Sequence, residues 1–260
     1  MKINIYIFLS LCSLFYACSP GKRVSAASKG NFKLEQVQLY DQSRQRSIPV
    51  AVYLPVGESF VLDIPLVVLS HGYGANRGGD NLAYSYLGQF LASQGIAVAS
   101  IQHELPTDEL LPMNGNLRET RRSNWERGAQ NIRFVLAELP KRYPAFNYKK
   151  VALVGHSNGG DMSMLFAHQS PEWIQKVISL DNRRMPLPRV STPAVYTLRS
   201  SDFSADEGVL PTLEEQKTLG ITVIQLSNTR HNDMDDSGTT EQHQEINALL
   251  LKFLQYDSKY

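Results

Sequence analysis

The sequence predicts an α/β protein, a mainly parallel central sheet with helices on both faces. Three observations lead there. Short, continuous apolar runs of the kind buried on both sides of a sheet alternate with longer stretches of helical periodicity. A serine flanked by glycines stands at one strand-to-helix junction. Finally, 260 residues at 42% hydrophobic and 20% charged suffice for one sizeable core, and the composition excludes the collagen-like, disordered and multi-span membrane classes.

Taken in order, residues 32–40 and 47–54 have alternating or β-branched character around a polar turn at 41–46, and read as an antiparallel hairpin. Residues 64–69 form a buried strand, 82–93 a helix, and 95–101 a second buried strand. Within 123–139, Ile132, Val135, Leu136 and Leu139 share one helical face, with Pro140 and Pro144 as stops before a strand at 150–154. A helix over 161–168 follows. Strands at 177–180, 194–198 and 221–225 come next, with a helix between the last two and an amphipathic helix over 240–254 at the end. Strands joined by crossover helices pair in parallel.

The formal net charge of +1 leaves no electrostatic footprint for nucleic acid and no attraction to an anionic membrane surface. Both cysteines, Cys12 and Cys18, lie in the first twenty residues. The folded part therefore lacks a thiol nucleophile, an internal disulfide, a thiolate zinc site and an iron–sulfur cluster. The run Asp233-Met234-Asp235-Asp236-Ser237-Gly238 has the glycine of a calcium loop, but Gln244 stands where the bidentate glutamate belongs. It reads as a solvated acidic loop, and no metal or cofactor is expected.

Met1-Lys2 and the apolar run 5–17 are too short for the ~20 residues that span a bilayer, and read as an export signal over residues 1–18. Two processing routes are open. Ala17-Cys18 resembles a bacterial lipoprotein cleavage box, which would leave a diacylated Cys18, whereas Val24-Ser25-Ala26 and Ser25-Ala26-Ala27 suit ordinary signal cleavage after Ala26 or Ala27. Either route exports the product, to a bacterial periplasm, a membrane anchor or the medium. Residues 19–31 read as a tether and 32–260 as a single domain.

Gly155-His156-Ser157-Asn158-Gly159 falls directly after the strand ending at Val154 and before a helix. So abrupt a turn forces strained backbone at Ser157, and the glycines on either side remove β-carbons that would collide. The hydroxyl then sits at a helix N-terminus, where a developing oxyanion is favoured. A serine nucleophile needs a general base and a carboxylate to hold that base. Of the six histidines, His231 follows the last strand and is the candidate base. His156 packs beneath the turn, and His243 on the final helix reads as solvated.

His71-Gly72-Tyr73-Gly74 after a strand, then Gly155-x-Ser157-x-Gly159, a late aspartate and a late histidine together resemble an α/β-hydrolase. Within that fold, the stretches 69–77, 91–95 and 99–103 resemble the platelet-activating-factor acetylhydrolase and dienelactone-hydrolase-like branch, over residues 45–255. The dienelactone hydrolases proper differ in using a cysteine nucleophile where this chain has Ser157. The resemblance implies an oxyanion hole from the backbone N–H groups of Tyr73 and Asn158. It also implies acyl-enzyme chemistry on a small carboxylic ester of short acyl chain, without a cofactor. An amidase or peptidase with the same triad, or a silent binding protein on the same fold, are the alternatives. Two aspartates qualify as the acid. Asp181 ends the strand 177–180, the placement this branch implies, and Asp202 follows the strand 194–198, the placement of most other α/β-hydrolases. Asp181 is favoured because open α/β sheets collect functional groups at strand carboxyl ends. Arg183 and Arg184 either bind a substrate carboxylate or, the preferred reading, pair with the acidic segment 202–207. The loop 104–122 is placed in the pocket wall and Trp125 in the wall or the core.

Overall fold

The computed structural model describes residues 23–28, 32–57 and 62–255; the expected export signal and Cys18 lie outside these. Strands β1 (Arg23–Ser28), β2 (Phe32–Asp41), β3 (Arg46–Pro55), β4 (Ile64–Ser70), β5 (Ala97–Ile101), β6 (Phe146–His156), β7 (Lys176–Leu180), β8 (Ala194–Arg199) and β9 (Thr222–Gln225) form one sheet. Its order is β1-β2-β3-β5-β4-β6-β7-β8-β9. The pairs from β1 to β5 are antiparallel and those from β5 through β9 are parallel. Residues 23–28, within the expected tether, thus pair with β2 as an edge strand. The helices are α1 (Ser85–Ser93), α2 (Leu117–Thr120), α3 (Arg122–Arg142), α4 (Ser157–Gln169), α5 (Leu213–Leu219) and α6 (Thr240–Leu254).

The two-residue period of a strand divides the core into two layers. Leu66 and Val68 of β4 face Ile132 and Val135 of α3 and Leu165 of α4 in one cluster. Val67 and Leu69 face Leu87 and Leu91 of α1 and Ile246 and Leu250 of α6 in the other. All of these side chains are almost fully buried, which is why the central strands read as unbroken apolar runs.

Among the boundaries that differ from the sequence reading, three have a clear physical reason. α3 runs through Pro140 to Arg142, because proline that late removes only the N–H that would reach Leu136, while the Tyr143 N–H still bonds Leu139 at 2.8 Å. α1 starts at Ser85 rather than 82. The Asp236 carboxylate accepts from the Ser85 and Tyr86 N–H groups, each at 3.0 Å, and so caps that end. The acidic loop therefore anchors a helix instead of being merely solvated. α4 starts at Ser157, not at Asp161, since Gly159 and Gly160 form its first turn. A β-carbon on Gly159 would collide with the main-chain carbonyls of Ser70 and His71, so this glycine lets α4 seat against the end of β4.

Gly159→Ala should therefore destabilise the protein by about 2 kcal/mol or more. Thermal unfolding should show a midpoint lower by roughly 4 °C or more.

Candidate active site

β6 passes into α4 with no intervening loop, and Ser157 takes up the change of direction with φ at 51°. A non-glycine residue in the left-handed region is held there only when its surroundings over-determine it, and here a strand and a helix fix both sides. The Ser157 hydroxyl donates to His231 Nε2 at 2.9 Å. His231 opens a 3₁₀ turn after β9, and its Nδ1–H donates to Asp181 Oδ2 at 2.6 Å. That bond fixes the tautomer, leaving Nε2 to accept the serine proton.

Asp181 follows β7 directly and is also in the left-handed region, with φ at 55°. Its carboxylate is fully buried. Besides His231 it accepts from Ser200 Oγ at 2.7 Å and Ser200 N–H at 3.0 Å, and it pairs with Arg199 Nη2 at 2.8 Å. Burial pushes its pKa up, but the His231 hydrogen bond, the Arg199 charge and the Ser200 donors outweigh burial and hold it below the usual carboxylate value.

Asp202, the other candidate acid, contacts His231 differently: it accepts from the histidine main-chain N–H at 2.7 Å. The chain leaving β8 folds Ser200 over Asp181, which carries Asp202 past the ring to the backbone. One aspartate thus holds the imidazole and the other its main chain.

His156 is buried beneath the turn, as expected, but it is not inert. The Gly72 N–H donates to Tyr84 Oη at 3.0 Å, the Tyr84 hydroxyl donates to His156 Nδ1 at 2.6 Å, and His156 Nε2–H donates to the His231 carbonyl at 3.0 Å. This relay requires a neutral imidazole. Burial, reinforced by the neighbouring His231, lowers the His156 pKa to about 3. Gly72 is needed where the relay reaches the loop, because a β-carbon there would press on His156 Nδ1 and Tyr84 Oη. His71 Nδ1–H holds the Gly72 carbonyl at 2.7 Å, which leaves the Tyr73 N–H on the opposite edge of the same trans peptide.

Asn158 lies in the first turn of α4, where a backbone N–H has no helical acceptor. Its side chain is fully satisfied from elsewhere. Trp125 Nε1–H donates to its Oδ1 at 2.8 Å, and its Nδ2 donates to Glu104 Oε1 at 3.0 Å and Asn124 Oδ1 at 2.8 Å. Trp125 is core rather than wall, 1% exposed, and its indole N–H anchors the residue after the serine. The sequence reading gave Tyr84, Asn124, Arg199 and Ser200 no role at the site, and Glu104 none beyond opening the loop 104–122. Their partners are distant in the chain, and only Arg199 and Ser200 carried a signal, by adjoining Asp202.

A cavity of about 140 Å³ opens at Ser157, lined by Tyr73, Asp80, Tyr84, His231 and Asp235 among others. The loop after β5, expected in the pocket wall, does not line this cavity but backs it: Leu111 N–H bonds Tyr73 Oη at 3.0 Å, and Arg121 Nε donates to the Pro112 carbonyl at 2.8 Å. Phe203 stands edge-on to the His231 ring at 5.1 Å, with the Arg183 guanidinium over its face at 4.3 Å. The expected pairing of Arg183 and Arg184 with segment 202–207 does not form. Asp202 is taken by His231 and by Arg230 at 3.5 Å, Glu207 meets Arg118 through its carbonyl, and Asp206 contacts Arg183 only through main chain. His243, expected to be solvated, stacks on Tyr86 at 3.8 Å. Among the described residues, no group of three or more histidines, cysteines or carboxylates is placed to hold a metal ion.

The family model for platelet-activating factor acetylhydrolase, isoform II, matches residues 51–109. A comparison with curated proteins finds no match. Among solved structures, the chain is similar to a ferulic acid esterase from Streptomyces cinnamoneus at 18% identity and TM-score 0.63, covering 84% of this chain and 87% of that one. It is similar to a fungal esterase from Rhizomucor miehei at 14% identity and TM-score 0.64, covering 87% and 84%. A bacterial heroin esterase is similar at 12% identity and TM-score 0.62, covering 88% and 87%. The fold is the α/β-hydrolase fold.

The neutral His156 has a consequence for acid stability. Its folded pKa of about 3 lies below the unfolded value of ~6.5, so the unfolded chain takes up the proton first. The stability is complete above that unfolded value and is lost as pH falls toward the folded one, at up to about 1.4 kcal/mol per pH unit. Buried His103, whose pKa burial also lowers, acts in the same direction. Urea midpoints measured across this window should fall with pH, and His156→Gln should flatten the fall without abolishing it.

Proposed function

We propose that this α/β-hydrolase is a serine esterase acting on small carboxylic esters through an acyl-enzyme. The observation that carries the reading is the line from Asp181 to His231 to Ser157, at 2.6 and 2.9 Å, with the serine at a strand-to-helix junction. Ser157 Oγ attacks the ester carbonyl carbon as its proton passes to His231 Nε2. Asp181 holds the tautomer and stabilises the imidazolium that forms. The tetrahedral oxyanion accepts from the N–H groups of Tyr73 and Asn158. Collapse expels the alcohol, which leaves with the proton from His231, and an acyl group remains on Ser157. Water, deprotonated by His231, then repeats the sequence and releases the carboxylic acid.

The small cavity at Ser157, about 140 Å³ against ~300 Å³ or more for a drug-sized pocket, supports a short acyl chain. The charged start and the apolar run of residues 5–17 support export, with Cys18 as the site of a lipid anchor.

A fluorophosphonate probe should label the wild type at Ser157 and leave Ser157→Ala unlabelled, as read by mass spectrometry of the labelled peptide. Asp181→Asn should lower kcat by up to ~10⁴-fold, whereas Asp202→Asn, which keeps an oxygen to accept the His231 main-chain N–H and loses only the charge, should lower it by about tenfold or less. Equal effects would refute the division of roles between the two aspartates. p-Nitrophenyl acetate and butyrate should exceed the decanoate in kcat/KM by about tenfold or more.

A further inference from the structure

Arg121, Arg183 and Arg184 gather beside the site without the carboxylates that would normally answer them. Arg121 is 7% exposed, and its side-chain bonds run to the Pro112 carbonyl and the Met113 sulfur. Burial lowers its pKa, and the charges of Arg184 and Arg183 lower it further, against an opposing effect of Asp161 smaller than that of Arg184. Arg183 rests on the face of Phe203, and its Nε, like that of Arg184, is buried with no hydrogen-bond partner. Among the described residues, none of the three forms an ion pair with a carboxylate. Asp161 offsets part of the charge, but its Oδ1 is occupied by the main-chain N–H groups of Arg184 and Met185 and by Asn182.

A buried cation without a counter-ion is expensive to keep; Arg121 is buried and Arg183 and Arg184 beside it are half-buried, so the group suits an anion arriving from outside. Their position says which one. Arg121 is tied through Pro112 to the loop whose Leu111 N–H bonds Tyr73, and Arg183 is tied through Phe203 to His231. Contacts thus run from the group to the oxyanion loop and to the general base, and the group backs the walls of the cavity at Ser157 without lining it. A planar guanidinium matches a carboxylate through two parallel hydrogen bonds.

We propose that Arg121, Arg183 and Arg184 form an anion subsite of the active centre, and that the substrate is an ester carrying a carboxylate near its scissile bond. This rests on the esterase reading above, with the substrate class now specified.

Two matched pairs of esters test it: p-nitrophenyl hemisuccinate against butyrate for a charge on the acyl side, and 3-carboxyphenyl acetate against phenyl acetate for one on the alcohol side. In at least one pair the wild type should favour the anionic member about tenfold or more in kcat/KM. Arg183→Gln and Arg184→Gln should each reduce that ratio tenfold to roughly a hundredfold, mainly through KM, as expected for loss of a charge-assisted contact. Arg183→Lys should retain part of the preference, and Arg142→Gln, exposed at the far end of α3, should retain all of it. Calorimetric binding of the hemisuccinate and 3-carboxyphenyl esters to Ser157→Ala, with and without Arg183→Gln, gives the same comparison without turnover. Hydrolysis of every ester with no anionic preference and no arginine dependence would overturn the subsite and leave the esterase standing. Arginine-dependent binding by a wild type that hydrolyses none of the esters would uphold the subsite and overturn the esterase.

Discussion

The short hydrogen bond between Asp181 and His231 is the constraint on which the rest of the site depends. It decides which imidazole nitrogen faces Ser157, and it works only while the carboxylate stays ionised in a place no water reaches. A lone buried carboxylate would take up a proton rather than remain charged. Here Arg199 and both donors of Ser200 hold it as an anion. The clamp follows from topology. β7 and β8 are parallel neighbours, the Asp181 N–H bonds the Leu198 carbonyl at 2.9 Å, and the next two residues of the β8 chain are the clamp itself.

A second tier of polar contacts holds the parts of the site in register. The relay from Gly72 through Tyr84 and His156 ends on the His231 main chain, so the loop bearing one oxyanion donor is tied to the base. The cage of Trp125, Glu104 and Asn124 around the Asn158 side chain does the same for the other donor. Buried polar networks stabilise one arrangement only when nearly every group is satisfied. In these two networks each bond joins elements from different parts of the chain, so a shift of one element would break bonds in several others.

That division explains what the sequence made legible. The Ser157 turn could be read because local backbone geometry demands glycines at fixed offsets, and His231 because it follows the last strand at the sheet's carboxyl edge. The central strands could be read because burial on both faces leaves unbroken apolar runs. Tyr84, Glu104 and Asn124 could not, since a tyrosine or glutamate that satisfies a buried partner has the same local pattern as one on the surface. Asp202 illustrates the limit: two aspartates after neighbouring strands both fit near one histidine, and only the fold of residues 199–202 decides which meets the ring. Pro140 shows the converse error, a strong local stop signal overridden because the missing N–H falls in the last turn of a well-packed helix.

Charge is distributed unevenly around Ser157, and the imbalance is informative. Asp80 and Asp235 line the cavity itself, yet each has work within the protein: Asp80 Oδ2 accepts from Gln102 at 2.9 Å, and Asp235 receives the Ser237 N–H on its carboxylate and His243 Nε2 on its carbonyl. The arginines across the site have no comparable anionic partners. Satisfied polar groups are explained by folding alone, since each offsets the desolvation of another. Guanidinium groups without an ion-pair partner raise the folding free energy where they are buried, as Arg121 is, and Asp161 offsets only part of that. In a net charge of only +1 such a local excess of positive charge is not a by-product of composition, and the proposed anion would neutralise it.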